Sequence, residues 1–213
     1  MQADVITYSA AVSACGKGKQ WQRALELFEE MHVQGLQADV ITYNATISAC
    51  GTGKQWQRAL ELFEEMHVQG LRADVITYNA TISACGTGKQ WQRALKLFEE
   101  MRSKGLQASV NTYSATISAC RRGFQWQRAL GLFEEMLSQS SHANETAYIT
   151  TISACSKGDR RQRAPEFFEE MNAQDRTFST CSAKPSKEDV VTRNAATSAY
   201  EKRTVPPASG TLV

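Results

Sequence analysis

Apolar and polar residues follow two helical registers along most of this chain, and the pattern restarts every 35 residues. Between Val40 and Cys50, residues Tyr43, Thr46, Ile47 and Cys50 fall at i, i+3, i+4 and i+7, one stripe of an α-helix. Its β-branched residues give this helix only modest intrinsic propensity, so packing has to hold it. Gly51-Thr52-Gly53 is expected to break the chain. A stronger helix is expected from Gln55 to Gln69, with Trp56, Ala59, Leu60 and Phe63 on one face. Leu62 and Met66 widen that face, and Glu61, Glu64 and Glu65 are expected to point to solvent. Gly70 stands where a left-handed C-cap belongs, and Leu71-Arg72-Ala73-Asp74 leads into the next unit.

The period is visible in single residue types. Tyr8, Tyr43, Tyr78, Tyr113 and Tyr148 keep it, as do Cys15, Cys50, Cys85, Cys120 and Cys155, and Trp21, Trp56, Trp91 and Trp126. Each unit is a helical hairpin with more apolar surface than two helices can hide, so neighbours must cover the rest. That is an all-α fold, an α-solenoid of stacked helix-turn-helix repeats. The tryptophans complete the apolar stripe and are expected to pack rather than to stack on bases.

Composition adds exclusions. With 42% apolar and 22% charged residues, the chain suits an ordinary folded protein. No apolar run approaches the ~18 residues a membrane helix needs, and Met1-Gln2-Ala3-Asp4 opens neither a signal nor a transit peptide. A net charge of +2 does not by itself announce nucleic acid. Equivalent cysteines on stacked helices lie about 10 Å apart, too far for disulfides or a shared metal. They are expected to be small buried thiols, while Cys181 stands alone. No Cys-x-x-Cys accompanies a His-x-Glu, and His142-Ala143-Asn144-Glu145 has the wrong spacing for a zinc deaminase. No catalytic activity, cofactor, metal or small-molecule substrate is expected. His32 and His67, near the ends of second helices, are expected to be exposed.

The 35-residue hairpin with Val-x-Thr-Tyr-Asn, Ala-Leu-x-Leu-Phe-Glu-Glu-Met and a closing Gly resembles the pentatricopeptide repeat. The tetratricopeptide repeat differs in period and carries its Trp in the first helix. The resemblance covers four strong repeats, 5–39, 40–74, 75–109 and 110–144, and a degenerate fifth, 145–179. It implies a right-handed solenoid that binds single-stranded RNA, one base per repeat. It implies that the fifth and last residues of each repeat reach the base edge: Ser9 with Asp39, Asn44 with Asp74, Asn79 with Ser109, and Ser114 with Asn144. By the family's pairing preferences these spell G, U, C and A, a core of 5′-GUCA-3′ read parallel to the chain. Second residues Ile6, Ile41 and Ile76 fit a base-packing role, from which Asn111 and Thr146 depart. Lys17, Arg122 and Lys157 share a position that can face phosphate, with Thr52 and Thr87 replacing the cation there. The family acts mainly in mitochondria and chloroplasts, in RNA stability, processing, editing or translation, and localisation here is inherited from it.

Internal variation supports the reading positions independently. The second and third repeats differ at Glu61/Lys96, His67/Arg102, Val68/Ser103, Gln69/Lys104, Arg72/Gln107 and Asp74/Ser109. The first and second differ at Ser9/Asn44, Ala11/Thr46, Val12/Ile47, Lys17/Thr52 and Gln37/Arg72. Both reading positions are among the changes. The same residue types are also ordinary capping choices at helix starts, which is the competing account. A peptide-binding or assembly scaffold of the helical-repeat type is the alternative function.

The pattern then fails. Ile149 occupies a reading position, Arg161 replaces Trp, and Pro165 falls inside the expected second helix. Residues 180–203 are expected to hold an insertion and a decayed first helix of a sixth repeat, and residues 204–213 a disordered tail. Residues 1–4 match the close of a repeat, Gln37-Ala38-Asp39, so the chain reads as a fragment of a longer array. An uncapped first repeat can self-associate.

Overall fold

The computed structural model describes residues 4–139, 143–157, 166, 167 and 169. Arg161, Pro165, Cys181 and residues 180–213 lie outside them, as does the side chain of Lys157. The described residues form α1 (Val5–Lys17), α2 (Trp21–Val33), α3 (Val40–Thr52), α4 (Trp56–Val68), α5 (Val75–Thr87), α6 (Trp91–Ser103), α7 (Val110–Arg122), α8 (Trp126–Gln139) and α9 (Glu145–Lys157). No strand occurs among them. The fold is an all-α helical-repeat solenoid. The chain divides into two compact units, residues 1–123 and 124–213, and the division falls inside the fourth repeat.

In the first unit, α1, α3, α5 and α7 pack each on the next as one layer. Helices α2, α4 and α6 form a second layer, each against its own first helix and that of the following repeat. A Cβ built on Gly16 would lie 3.2 Å from the Cβ of Ala49, and the pairs Gly51–Ala84 and Gly86–Ala119 repeat the contact at 3.4 and 3.2 Å. The same offset at every step means that the first helices run parallel and in register. The expected stripe is the core: Tyr43, Thr46, Ile47 and Cys50 are buried, with Tyr78, Thr81, Ile82 and Cys85 repeating it. Burial pushes the thiols of Cys50 and Cys85 up to about 11, as inert packing groups require.

Successive repeats are joined by rings. Phe28 meets Tyr43, Phe63 meets Tyr78, and Phe98 meets Tyr113, each edge-on at 5.2 Å between centroids. Such pairs contribute about 0.5–1.5 kcal/mol beyond the area they bury. The hydroxyls of Tyr8, Tyr43 and Tyr78 donate to a carboxylate of their own second helix, Tyr8 to Glu30 at 3.0 Å, Tyr43 to Glu65 at 3.0 Å and Tyr78 to Glu100 at 2.9 Å. Glu65 is therefore not the solvent-facing residue its register suggests. A buried hydroxyl needs a partner, and this carboxylate reaches it.

The inter-helix turn also differs from expectation. Gly51 and Thr52 do not break the chain; they are the last residues of α3, and Gly51 is buried. The turn is made by Gly53 and Lys54. Gln55 N–H donates to Cys50 O at 2.8 Å and Lys54 N–H to Gly51 O at 3.2 Å, a Schellman closure with Lys54 at φ 60°. Lys19 and Lys89 take the same conformation, and Phe124 in the fourth repeat. The neighbouring Gly53 has an ordinary φ of −77°. It is glycine for space: an added Cβ would lie 2.3 Å from Cγ of Trp21. Trp56 covers Gly88 and Trp91 covers Gly123 in the same way, so the tryptophans do pack. The second helices end as expected, with Gly35, Gly70 and Gly105 at φ 73 to 75°.

In the second unit, α8 packs on α9. Phe133 meets Tyr148 edge-on at 5.0 Å and Phe167 at 5.3 Å.

Candidate nucleic-acid interface

The last residue of each repeat begins the next first helix. Asp39, Asp74 and Ser109 sit in extended backbone, and each side chain accepts the N–H three residues on: Thr42, Thr77 and Thr112. Asp4 does the same for Thr7, and Asn144 Oδ1 accepts from Ala147 N–H at 2.9 Å. The competing account is thus correct as far as it goes, since all of these residues cap helices. Capping alone does not choose among Asp, Ser and Asn, which rank together as N-caps.

The fifth residue lies one turn further along the same helix, and the structure joins it to the next cap in different ways. Ser9 is buried; its Oγ donates to Val5 O at 2.8 Å and lies 2.6 Å from Thr42 Oγ1, which donates to Asp39 at 2.7 Å. Thr42 thus stands between the expected partners. In the second pair, Asn44 Nδ2 donates directly to Asp74 Oδ1 at 3.3 Å. Burial raises the Asp74 carboxyl, but bonds from Thr77 N–H, the Thr77 hydroxyl and the Asn44 amide outweigh it and hold the group below its ordinary value. The third pair is not bonded. The Ser109 hydroxyl is engaged with Thr112 at 3.0 Å. Oδ1 of both Asn44 and Asn79 is buried without a hydrogen-bond partner. Ser114, also buried, donates to Val110 O at 2.8 Å. Its expected partner Asn144 belongs to the second unit and is described there alone.

Three residues before each fifth position, on the same helix face, stand the isoleucines. Ile6, Ile41 and Ile76 are 77%, 67% and 63% exposed, among the most exposed large apolar side chains of the described residues. Asn111 and Thr146 are exposed at the equivalent places. The bare isoleucines recur once per repeat, an order that isolated exposed apolar residues do not show, while the unpartnered amide oxygens lie buried.

At the other end of the first helices, Lys17 and Arg122 are exposed. Lys17 follows Ile6 by three helical turns on the same face, about 16 Å along the axis. Thr52 and Thr87 turn their hydroxyls back to Ala49 O and Ala84 O, both at 2.7 Å, and offer no charge. Arg121 is half-buried; burial and the adjacent Arg122 both disfavour its cation, and its Nε has no hydrogen-bond partner. Sequence reasoning missed Arg121 and the bridging Thr42. Arg121 was detectable, because it replaces Gly16, Gly51 and Gly86.

The PPR repeat family model matches residues 3–52, 38–87 and 73–122, and the PPR repeat model matches residues 111–140. No curated protein matches. Among solved structures, the pentatricopeptide repeat protein PPR10 in complex with an 18-nt psaJ RNA element superposes with a TM-score of 0.69 at 24% identity. That alignment covers 95% of this chain and 27% of PPR10, so the chain spans about a quarter of its length. PPR10 from maize gives a TM-score of 0.56 at 23% identity, over 95% of this chain and 32% of that one. The PPR domain of Arabidopsis thaliana protein-only RNase P 1 in complex with tRNA gives 0.68 at 14% identity, covering 90% of this chain and 96% of that one. At these identities the likeness is one of fold. No helix among the described residues is long and apolar enough to cross a membrane.

Proposed function

The chain belongs to the pentatricopeptide repeat family, and we propose that it binds single-stranded RNA, one base per repeat, along the N-terminal ends of its first helices. The observation that carries this reading is the second corner: an amide donor held by Asp74, a buried and unpartnered amide oxygen, and bare isoleucine on either side. With Asn44 Nδ2 committed to Asp74, Oδ1 is left as an acceptor that suits the N3–H of uracil once binding uncovers it. Asn79 has no such hold, and its amide can turn to donate to N3 of cytosine. Ser9 with Asp39 takes guanine and Ser114 with Asn144 takes adenine, giving 5′-GUCA-3′. Ile6, Ile41 and Ile76 cover base faces, and Lys17, Arg122 and Lys157 contact phosphate. Two of the similar structures are RNA complexes, which supports the class of ligand.

The proposed setting is a mitochondrion or chloroplast, with a role in RNA stability, processing, editing or translation. The test is anisotropy titration with labelled oligonucleotides. GUCA flanked by unstructured sequence should bind at least about tenfold tighter than a scrambled word, one unit of discrimination at 1.4 kcal/mol. Asn44→Ala should weaken binding by about five- to twentyfold, the cost of one or two lost hydrogen bonds. Equal binding of both oligonucleotides, or an Asn44→Ala variant as tight as the parent, would sink the reading. Affinity that ignores salt would instead favour a peptide groove.

A further inference from the structure

Each of the first three repeats closes two helices with the same backbone motif but different residues in the left-handed position. The second helices use Gly35, Gly70 and Gly105; the first helices use Lys19, Lys54 and Lys89, at φ 59, 60 and 59°. Glycine is the cheap choice at such a position, and a long side chain there is an outlier. The adjacent glycine does not explain it. Gly53 and Gly88 are consumed by the tryptophan rings above them, so they make room rather than turn the chain. Nothing in the packing requires lysine one residue later: Lys19, Lys54 and Lys89 are exposed, and none is ion-paired among the described residues.

Charge around this turn is one-sided. Helices α1, α3, α5 and α7 contain no Asp or Glu. None occurs in Gly16–Leu25, Gly51–Leu60, Gly86–Leu95 or Arg121–Leu130 either. Repeat acids begin only at Glu26 and Glu61, where they pair with Arg23 at 2.9 Å and Arg58 at 3.1 Å. Because the first helices are parallel and in register, the three lysines rise one above another, one per helix, about 8–10 Å apart. Lys17 and the half-buried Arg121, whose Nε lacks a partner, belong to the same edge.

We infer that Lys19, Lys54 and Lys89 extend the phosphate contacts proposed for Lys17 and Arg122 into a sequence-independent RNA surface along this turn edge, separate from the base-reading corners at the opposite ends of the first helices. It rests on the RNA-binding reading but not on the base code. Through the first three repeats the strained lysines hold one cation per repeat at a fixed pitch, matching a polyanion with regularly spaced charge; Phe124 ends the row. The first helices are about 20 Å long, so the edge engages RNA flanking the word rather than the nucleotides being read.

The inference predicts effects of opposite sign. In Lys19→Gly/Lys54→Gly/Lys89→Gly, relief of the left-handed backbone should raise the thermal midpoint by several degrees. Affinity for a 20-mer carrying GUCA should fall about 100-fold at 0.1 M salt. The log–log salt slope should become shallower by about 2, from roughly 0.7 per phosphate on a single strand. The ratio of GUCA to scrambled binding should not move, and a 4-mer should lose little. Lys→Arg at the three sites should keep the parent slope. If the triple variant is more stable and binds the 20-mer with parent affinity and slope, the edge is not an RNA site, whatever the base preference. If the parent shows no preference for GUCA yet the triple variant loses affinity and slope, the edge stands and the base-reading proposal alone fails.

Discussion

The two ends of the first helices join neighbouring repeats by different physics. At the N-terminal ends the joints are short polar groups: Ser9 Oγ lies 2.6 Å from Thr42 Oγ1, and Asn44 donates to Asp74 at 3.3 Å. At the C-terminal ends the joints are surface on surface, Gly16 against Ala49 and the Trp21 ring over Gly53. A polar joint survives exchange because its capping residue keeps a local bond whatever its neighbour does. Asp39, Asp74 and Ser109 all cap, with or without a partner at the fifth position. A steric joint has no such reserve, because interiors are close-packed and a single methyl is felt. That difference explains where the repeats vary. Among the first three, the fifth and last residues change, while the turn glycine and the tryptophan do not.

The steric end should give the largest effect. In Gly53→Ala the new Cβ would sit 2.3 Å from Trp21 Cγ, closer than real contacts allow, so the ring or α3 must shift. Overpacking of this kind costs about 2–3 kcal/mol. Gly70→Ala is the matched control: its φ of 73° makes alanine unfavourable by about 1 kcal/mol, but nothing lies within 4 Å. Denaturation midpoints of the whole chain separate the two. Trp21→Leu should recover much of the Gly53→Ala loss if the ring is the cause, a coupling that independent sites would not show. Equal midpoints for Gly53→Ala and Gly70→Ala would remove the distinction between the ends.

The polar end should change binding with little change in stability. Exchanging the caps, Asp74→Ser with Ser109→Asp, gives Asn44 a serine and Asn79 an aspartate. The preferred word should become GCUA, with about a tenfold reversal in the ratio of GCUA to GUCA binding, near 1.4 kcal/mol. Both caps remain competent, so stability should stay within about 0.5 kcal/mol. A retained preference for GUCA would show that the last residue only caps. It would also leave the difference between Asn44 and Asn79 without a role in recognition.

Much of this was readable from one sequence because most contacts repeat inside a single hairpin. The stripe Tyr43, Thr46, Ile47 and Cys50 is a property of one helix, and Gly70 ends a helix by local backbone preference. The misreadings involve groups supplied from another helix. Gly51-Thr52-Gly53 looks like a break because two glycines flank a threonine, yet one packs on Ala84 and the other under Trp21. Glu65 looks solvated by its register, yet Tyr43 of the partner helix reaches it at 3.0 Å. At the corners, residue types suggest pairs, but not that Thr42 comes between Ser9 and Asp39. Nor do they distinguish a held Asn44 from an unheld Asn79. A direct bond over 30 residues depends on helix register to a fraction of a turn, which periodicity alone does not give.

The held amide makes the smallest prediction and the most local one. Asp74 lies below its ordinary value of 3.8 because bonds from Thr77 N–H, the Thr77 hydroxyl and Asn44 outweigh the effect of burial. A carboxyl depressed on folding contributes stability that is fully present above its unfolded pKa, and this contribution is lost as pH falls through the folded pKa. The contribution of Asp74 should therefore disappear below about pH 4. Asp74→Ser, with no charge to titrate, should flatten the fall of the unfolding midpoint in that window. Asn44→Ala removes one of the donors and should move the Asp74 carboxyl signal, followed by NMR, back toward its ordinary value. Asn79→Ala should leave that signal where it is, since Asn79 has no bond to Asp74. Should Asn44→Ala leave the titration unmoved, the amide is not held in solution, and the contrast between the second and third corners lies in their caps alone.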